Sequence, residues 1–229
     1  ATTTMAVFLV RKSRGTDVAK ELLGPGFRGR LVSDRWCGYA WIEALRRQLC
    51  WAHLRRHWKL FEEHGVEGKR LGRALGRSTR KLFAMWHRVR DGTLTRRGFQ
   101  RMALPLQHAI VAQLHKGVDC PSKKVAGMCR EILMWETSLW SFVRHAGIEP
   151  TNNHGERVLR HAVVWRKSSY GTDSEAGSRF VERMLTTVQT LRLQNRNVLE
   201  YVAAACDAAN RGVAPPSLLP VRQLVQAAA

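Results

Sequence analysis

The sequence predicts an α/β protein with a small strand–helix–strand core, a large all-helical insertion and C-terminal helices that complete the core. Three observations carry this expectation. Apolar runs of strand length alternate with a short helical segment over residues 1–53, the pattern of a parallel sheet. Apolar residues then recur at helical spacing through residues 54–148 with no strand pattern among them. Beyond Pro150, Asn153, Thr172 and Asn197 each stand where a helix cap is needed, across residues 149–211.

Taken in order, residues 5–10 (MAVFLV) form a continuous apolar run and read as a buried strand. Thr16 can cap a brief helix, DVAKELLG, in which Val18 and Leu22 share a face and which Gly24 and Pro25 stop. GRLVS (29–33) is a second strand, and Asp34 sits at its C-terminal end, where α/β sheets place functional side chains. Residues 36–47 read as a helix and QLCW (48–51) as a short apolar piece. The insertion follows: Leu54, Trp58 and Phe61, then Leu71, Leu75, Leu82, Trp86 and Val89, keep one helical face apolar. Further helices span residues 99–114, where Pro105 is expected to kink or break the helix, and 122–144. Thr172-x-x-Glu175 signals a capping box for a helix to about Gln194, with Phe180, Met184, Thr187 and Leu191 as its apolar stripe. Asn197 opens the last helix, which ends near Gly212, and Pro215, Pro216 and Pro220 mark residues 212–229 as a loosely ordered tail.

Charge restricts the partner. Lys and Arg number 38 against 18 Asp and Glu, a formal net charge of +20, and the basic residues run from Arg11 to Arg222 instead of forming one tail. A folded surface that grips phosphate follows, and nucleic acid is the expected partner. Arginine dominates, 29 of the 38, and its planar fork pairs with phosphate in a way that lysine does not. Five cysteines at irregular spacing make no disulfide framework, so a reducing cytoplasm is expected. The run at residues 5–10 is far too short to span a bilayer, so no membrane partner is expected. An aromatic-rich strand motif for stacking RNA bases is also missing, which sets RNA behind DNA.

The densest stretch is residues 150–171, PTNNHGERVLRHAVVWRKSSYG. Asn153-x-x-Glu156 fits a capping box in which Glu156 serves only the helix. Alternatively Glu156 is a metal ligand among Arg157, Arg160, Arg166 and Lys167, which would hold the nucleic-acid backbone. Asp34 is the other candidate acid: two carboxylates converging on Mg²⁺ or Mn²⁺ in a basic cleft suit phosphodiester chemistry. Cys50-x-x-His53 resembles half of a zinc site, but no second pair stands at suitable spacing, so packing is the expected role.

Four blocks, FRGRLVSDRWCGY (27–39), RQLCWAHLRRHW (47–58), PTNNHGERVLRHAVVWRKSSYGTDSEAG (150–177) and ERMLTTVQTLRLQNRNVLEYV (182–202), stand in one order. With them the chain resembles the DDE transposases of the insertion-sequence-66 family. That resemblance implies an RNase H-like core, N-terminally truncated here, with Asp34 as the second and Glu156 as the third acid of a triad. It implies metal-dependent cleavage and strand transfer at insertion-sequence ends, DNA of transposon ends and target as partner, a homo-oligomer on DNA, and a bacterial cytoplasm close to the nucleoid. The family's first acid lies upstream of residue 1, and Asp17, in a short helix, is no substitute. Residues 1–229 alone are therefore expected not to cleave DNA. The alternative is a DNA-binding remnant of a transposase with vestigial Asp34 and Glu156.

Overall fold

The computed structural model describes residues 1–220; the expected tail beyond residue 220 lies outside them. In chain order the elements are α1 (Thr16–Leu23), β1 (Leu31–Ser33), β2 (Arg47–Leu49), α2 (Trp51–Phe61), α3 (Gly65–Arg90), α4 (Arg96–Val118), α5 (Lys123–Met134), α6 (Ser141–Arg144), α7 (Asn153–Ser169), α8 (Glu175–Leu193) and α9 (Val198–Asn210). They form two units. One is Gly26–Asn152; the other joins Ala1–Pro25 to the described part of Asn153–Ala229.

In the first unit β1 and β2 pair in parallel, Leu31 opposite Arg47 and Ser33 opposite Leu49. The Cys50 amide continues the ladder by donating to the Ser33 carbonyl at 2.8 Å. The helix expected between these strands does not form. Two single 3₁₀ turns, Cys37–Tyr39 and Ala44–Arg46, take its place. Trp36 and Glu43 hold extended backbone (ψ 131° and 134°), which interrupts any continuous helical ladder. Trp36 also folds its ring over Gly38, where a Cβ would stand 2.3 Å from the indole.

Helices α2 to α6 pack around one apolar core that includes Leu49, Trp51, Trp58, Phe61, Leu75, Trp86, Phe99 and Phe142. The helical spacing from residue 54 onward corresponds to real helices, because one face of each is buried here. Small residues set the closest approach. A Cβ on Gly68 would meet the Phe61 carbonyl at 2.6 Å, and one on Gly72 the Trp58 carbonyl at 2.3 Å. The backbones of α2 and α3 are therefore in contact. Pro105 sits inside α4, which runs on without a break. The lost hydrogen bond is tolerated because Phe99, Ala103, Ile110 and Leu114 clamp the helix on both sides of the proline. Gln48, fully buried, joins the sheet to these helices: its amide donates to the Leu139 carbonyl at 3.1 Å and accepts the Phe142 amide at 2.8 Å.

In the second unit the expected strand at residues 5–10 is extended but pairs with no strand among the described residues. It lies antiparallel along α8 instead. The Ala6 amide donates to Thr190 Oγ1 (3.1 Å), Phe8 to Thr186 Oγ1 (3.1 Å) and Val10 to Glu182 Oε1 (2.7 Å). The match is geometric: two extended residues advance about 6.6 Å and four helical residues about 6.0 Å. This explains why the buried side of α8 is polar, with Glu182, Gln189 and Thr190 next to Leu191, while Phe180 from the expected apolar stripe is 64% exposed. Helix α8 also starts later than Thr172-x-x-Glu175 suggests. Ser174 is the cap, accepting from the Gly177 amide, and Thr172 instead pairs with Ser178 at 2.6 Å. Asn197 caps α9 as the sequence predicts, through the Leu199 and Glu200 amides.

Candidate metal and nucleic-acid site

Asp34 follows β1 directly and is half-buried. Its Oδ1 accepts the Trp36 amide at 3.1 Å, closing an Asx turn that ends the strand. Beneath it lies Arg47, 1% exposed, whose Nη2 reaches Ser33 Oγ (3.5 Å) and the Asp34 carbonyl (3.3 Å). The guanidinium also sits 4.6 Å from the Trp135 ring centre. Burial lowers the Arg47 pKa, with the charges of Asp34 and Tyr39 opposing that shift.

Beside this turn Arg35 contacts His57 Nδ1 at 3.2 Å and Glu131 at 3.3 Å. Burial, followed by the charges of Arg35, His53 and Arg56, pulls the His57 pKa down to about 4, so the ring is neutral near pH 7. His57 is thus part of the support under α2, while its neighbours Arg55 and Arg56 are exposed. Cys50 is buried at the entrance to α2, and its Sγ accepts the Asn152 amide at 3.2 Å. All five cysteines are free thiols. Sequence reading missed Arg35 and Arg47; the visible signal was a basic residue flanking an apolar strand on either side.

In the other unit Glu156 stands in the first turn of α7. At about 100° per residue, Arg160 and Lys167 fall within about 40° of Glu156, with Arg157 and Arg166 flanking that stripe on opposite sides. All four cations are exposed, and Val158, the one buried residue of α7, lies on the opposite face. Helix α7 therefore sets a half-buried acid beside a row of exposed cations. Asp34 belongs to the first unit and Glu156 to the second. Each offers carboxylate oxygen, the donor type that a hard divalent cation such as Mg²⁺ or Mn²⁺ prefers.

The family model of the IS66 transposases matches residues 1–180. This chain belongs to the IS66 transposase family. An uncharacterised protein of Sinorhizobium fredii, y4qI, is 28% identical over 218 residues, 87% of this chain and 39% of that protein. The chain thus spans well under half of that relative's length. No solved structure matches it. Among the described residues no helix is long and apolar enough to cross a membrane.

Proposed function

We propose that Asp34 and Glu156 are two acids of one divalent-metal site at which DNA is cut and joined at insertion-sequence ends. Arg157, Arg160, Arg166 and Lys167 hold the phosphate backbone beside it. The short parallel sheet that ends in Asp34 belongs, in this reading, to an RNase H-like core, and the working form is a homo-oligomer on DNA in a bacterial cytoplasm. The observation that carries the proposal is the stripe on α7 where the half-buried Glu156 lines up with the exposed Arg160 and Lys167 in a chain of the IS66 family.

Each group has a definable task. Mg²⁺ or Mn²⁺, when bound, supplies an activated oxygen nucleophile and stabilises the leaving oxygen. Asp34, fixed by the Trp36 amide, presents Oδ2 from the end of β1. Glu156 presents its carboxylate in line with the bound backbone. The exposed cations neutralise phosphates and hold the strand in register, which accounts for binding but not for sequence choice.

Calorimetric titration with Mn²⁺ tests the site. Wild type is expected to bind the ion specifically, and Asp34→Asn and Glu156→Gln each to weaken that binding at least tenfold, since each removes a charged ligand. Equal binding by all three proteins would refute the shared site. A second reading, a DNA-binding remnant without chemistry, has one observation in its favour: Asp34 Oδ1 already has a structural task in the Asx turn. DNA binding that survives both substitutions, in a wild type that takes no metal, supports it.

A further inference from the structure

Tyr170 is the least accommodated large side chain among the described residues. It directly follows α7 with φ 60°, in the left-handed region, and Gly171 after it has φ 101°. Among the described residues the other non-glycine residue with positive φ is Asn195, a type whose short amide tolerates that conformation. A tyrosine there is strained, because its Cβ crowds the following carbonyl. Its side chain is also 96% exposed, above every other large hydrophobic residue. The remaining two tyrosines have partners. Tyr39 meets Trp36 edge-on at 5.1 Å, while the Tyr201 hydroxyl donates to the Pro216 carbonyl at 2.8 Å under the Arg196 guanidinium. Tyr170 has neither a ring contact nor a hydrogen bond among the described residues.

The backbone on either side is held. Ser168 and Ser169 hydroxyls donate to the Trp165 carbonyl at 3.0 and 2.9 Å, tightening the last turn of α7. Beyond Gly171 the Thr172–Ser178 contact and the Ser174 cap fix the entry to α8. Tyr170 therefore projects from a built corner. Two costs are carried, a strained backbone and an exposed ring, and nothing among the described residues offsets them; such outliers gather where a ligand does.

We infer that Tyr170 is a base-stacking contact: its ring receives an unpaired DNA base while Arg166 and Lys167, one turn back, hold the adjoining phosphates. Aromatic faces stack on any base, so the contact is tolerant of sequence and selective for DNA whose bases are free. Those two cations and the polar Ser168 and Ser169 favour a nucleic acid over an apolar protein surface. Tyr170 in this role presupposes the DNA binding proposed above.

The test compares a blunt duplex with the same duplex bearing a short unpaired overhang that contains 2-aminopurine. Wild type is expected to prefer the overhang and to change the 2-aminopurine fluorescence. Tyr170→Phe should keep both effects. Tyr170→Ala should lose the fluorescence change and about 5- to 150-fold in overhang affinity, with blunt-duplex affinity and salt dependence unchanged, because stacking releases no counterions. Arg166→Ala should weaken both DNAs and lower the salt slope by about one. Tyr170→Gly separates contact from fold: it relieves the left-handed strain, so the melting temperature holds or rises while overhang affinity falls as in Tyr170→Ala. Tyr170→Ala with wild-type overhang affinity overturns the inference, as does equal loss on both DNAs. A change in self-association alone would assign Tyr170 to a protein contact and overturn it too. If wild type binds neither DNA, the proposed partner itself is wrong and the stacking contact goes with it; loss confined to the variants isolates Tyr170.

Discussion

Thr190→Val is a direct probe of how residues 5–10 are held. Thr190 is 1% exposed and Ala6 2% exposed. The threonine hydroxyl accepts the Ala6 amide at 3.1 Å and donates to the Ala6 carbonyl at 3.0 Å. Valine keeps the shape and removes both bonds, leaving a buried donor and a buried acceptor unsatisfied. A buried group that loses its partner costs about 1–3 kcal/mol, and the carbonyl, with two lone pairs, falls near the low end. The expected loss is therefore about 2–4 kcal/mol, a large share of the stability of a small folded unit. Thr186→Val removes only the acceptor of the part-buried Phe8 amide and should cost about 1 kcal/mol. Urea denaturation gives the totals, and hydrogen exchange gives the location. In Thr190→Val the Ala6 amide should exchange about 30- to 900-fold faster, while amides of the α3–α4 pair keep their rates. A Thr190→Val protein within about 0.5 kcal/mol of wild type, with Ala6 still protected, would refute the ladder as the support of this segment.

Three further outcomes are expected. Gly72→Ala should destabilise the helical unit by about 3 kcal/mol or more in thermal unfolding, because its Cβ would lie 2.3 Å from the Trp58 backbone carbonyl; Gly76→Ala, whose nearest contact is a flexible Arg80 tip at 3.6 Å, should be neutral or stabilising. His57 resists protonation down to about pH 4 when folded, whereas the unfolded chain takes the proton near 6.5. Its contribution is complete above about pH 6.5 and is lost as pH falls toward about 4, so denaturation midpoints of His57→Gln should change less than wild type across that window. Arg157→Ala combined with Arg160→Ala should weaken binding to all duplexes alike and lower the salt slope by about two in fluorescence anisotropy; loss on one sequence alone would mean base readout.

The helical unit was legible because Leu54, Trp58, Phe61, Leu75 and Trp86 repeat with the period of the structure that buries them. Residues 36–47 were not, since a helical pattern competes there with Trp36 and Glu43 in extended backbone and with a ring lying on Gly38. Extended structure at residues 5–10 could be read, but its partner could not: apolar runs announce a strand, whereas Thr186 and Thr190 look like surface residues of α8 until a backbone lies against them. For the candidate site, the Glu156, Arg160 and Lys167 stripe follows from spacing alone. The buried guanidinium of Arg47 does not, because arginine ordinarily marks a surface. Nor was Tyr170 singled out, since exposure and a left-handed backbone are properties of the folded corner and not of its letters.

In the proposed site, the hydrogen bond that closes the turn after β1 would also discriminate among cations. With Oδ1 engaged by the Trp36 amide, Asp34 in the proposed site would offer chiefly Oδ2, as a one-oxygen ligand. Magnesium accepts carboxylates in that manner, in a tight octahedral shell at about 2.0–2.1 Å completed by water, whereas calcium spreads readily over both oxygens of a carboxylate in a looser shell at about 2.3–2.6 Å. A turn that serves the backbone would thereby bias the proposed site toward the smaller ion, and Trp36→Pro, which deletes the donating N–H, would widen the range of metals that Asp34 admits.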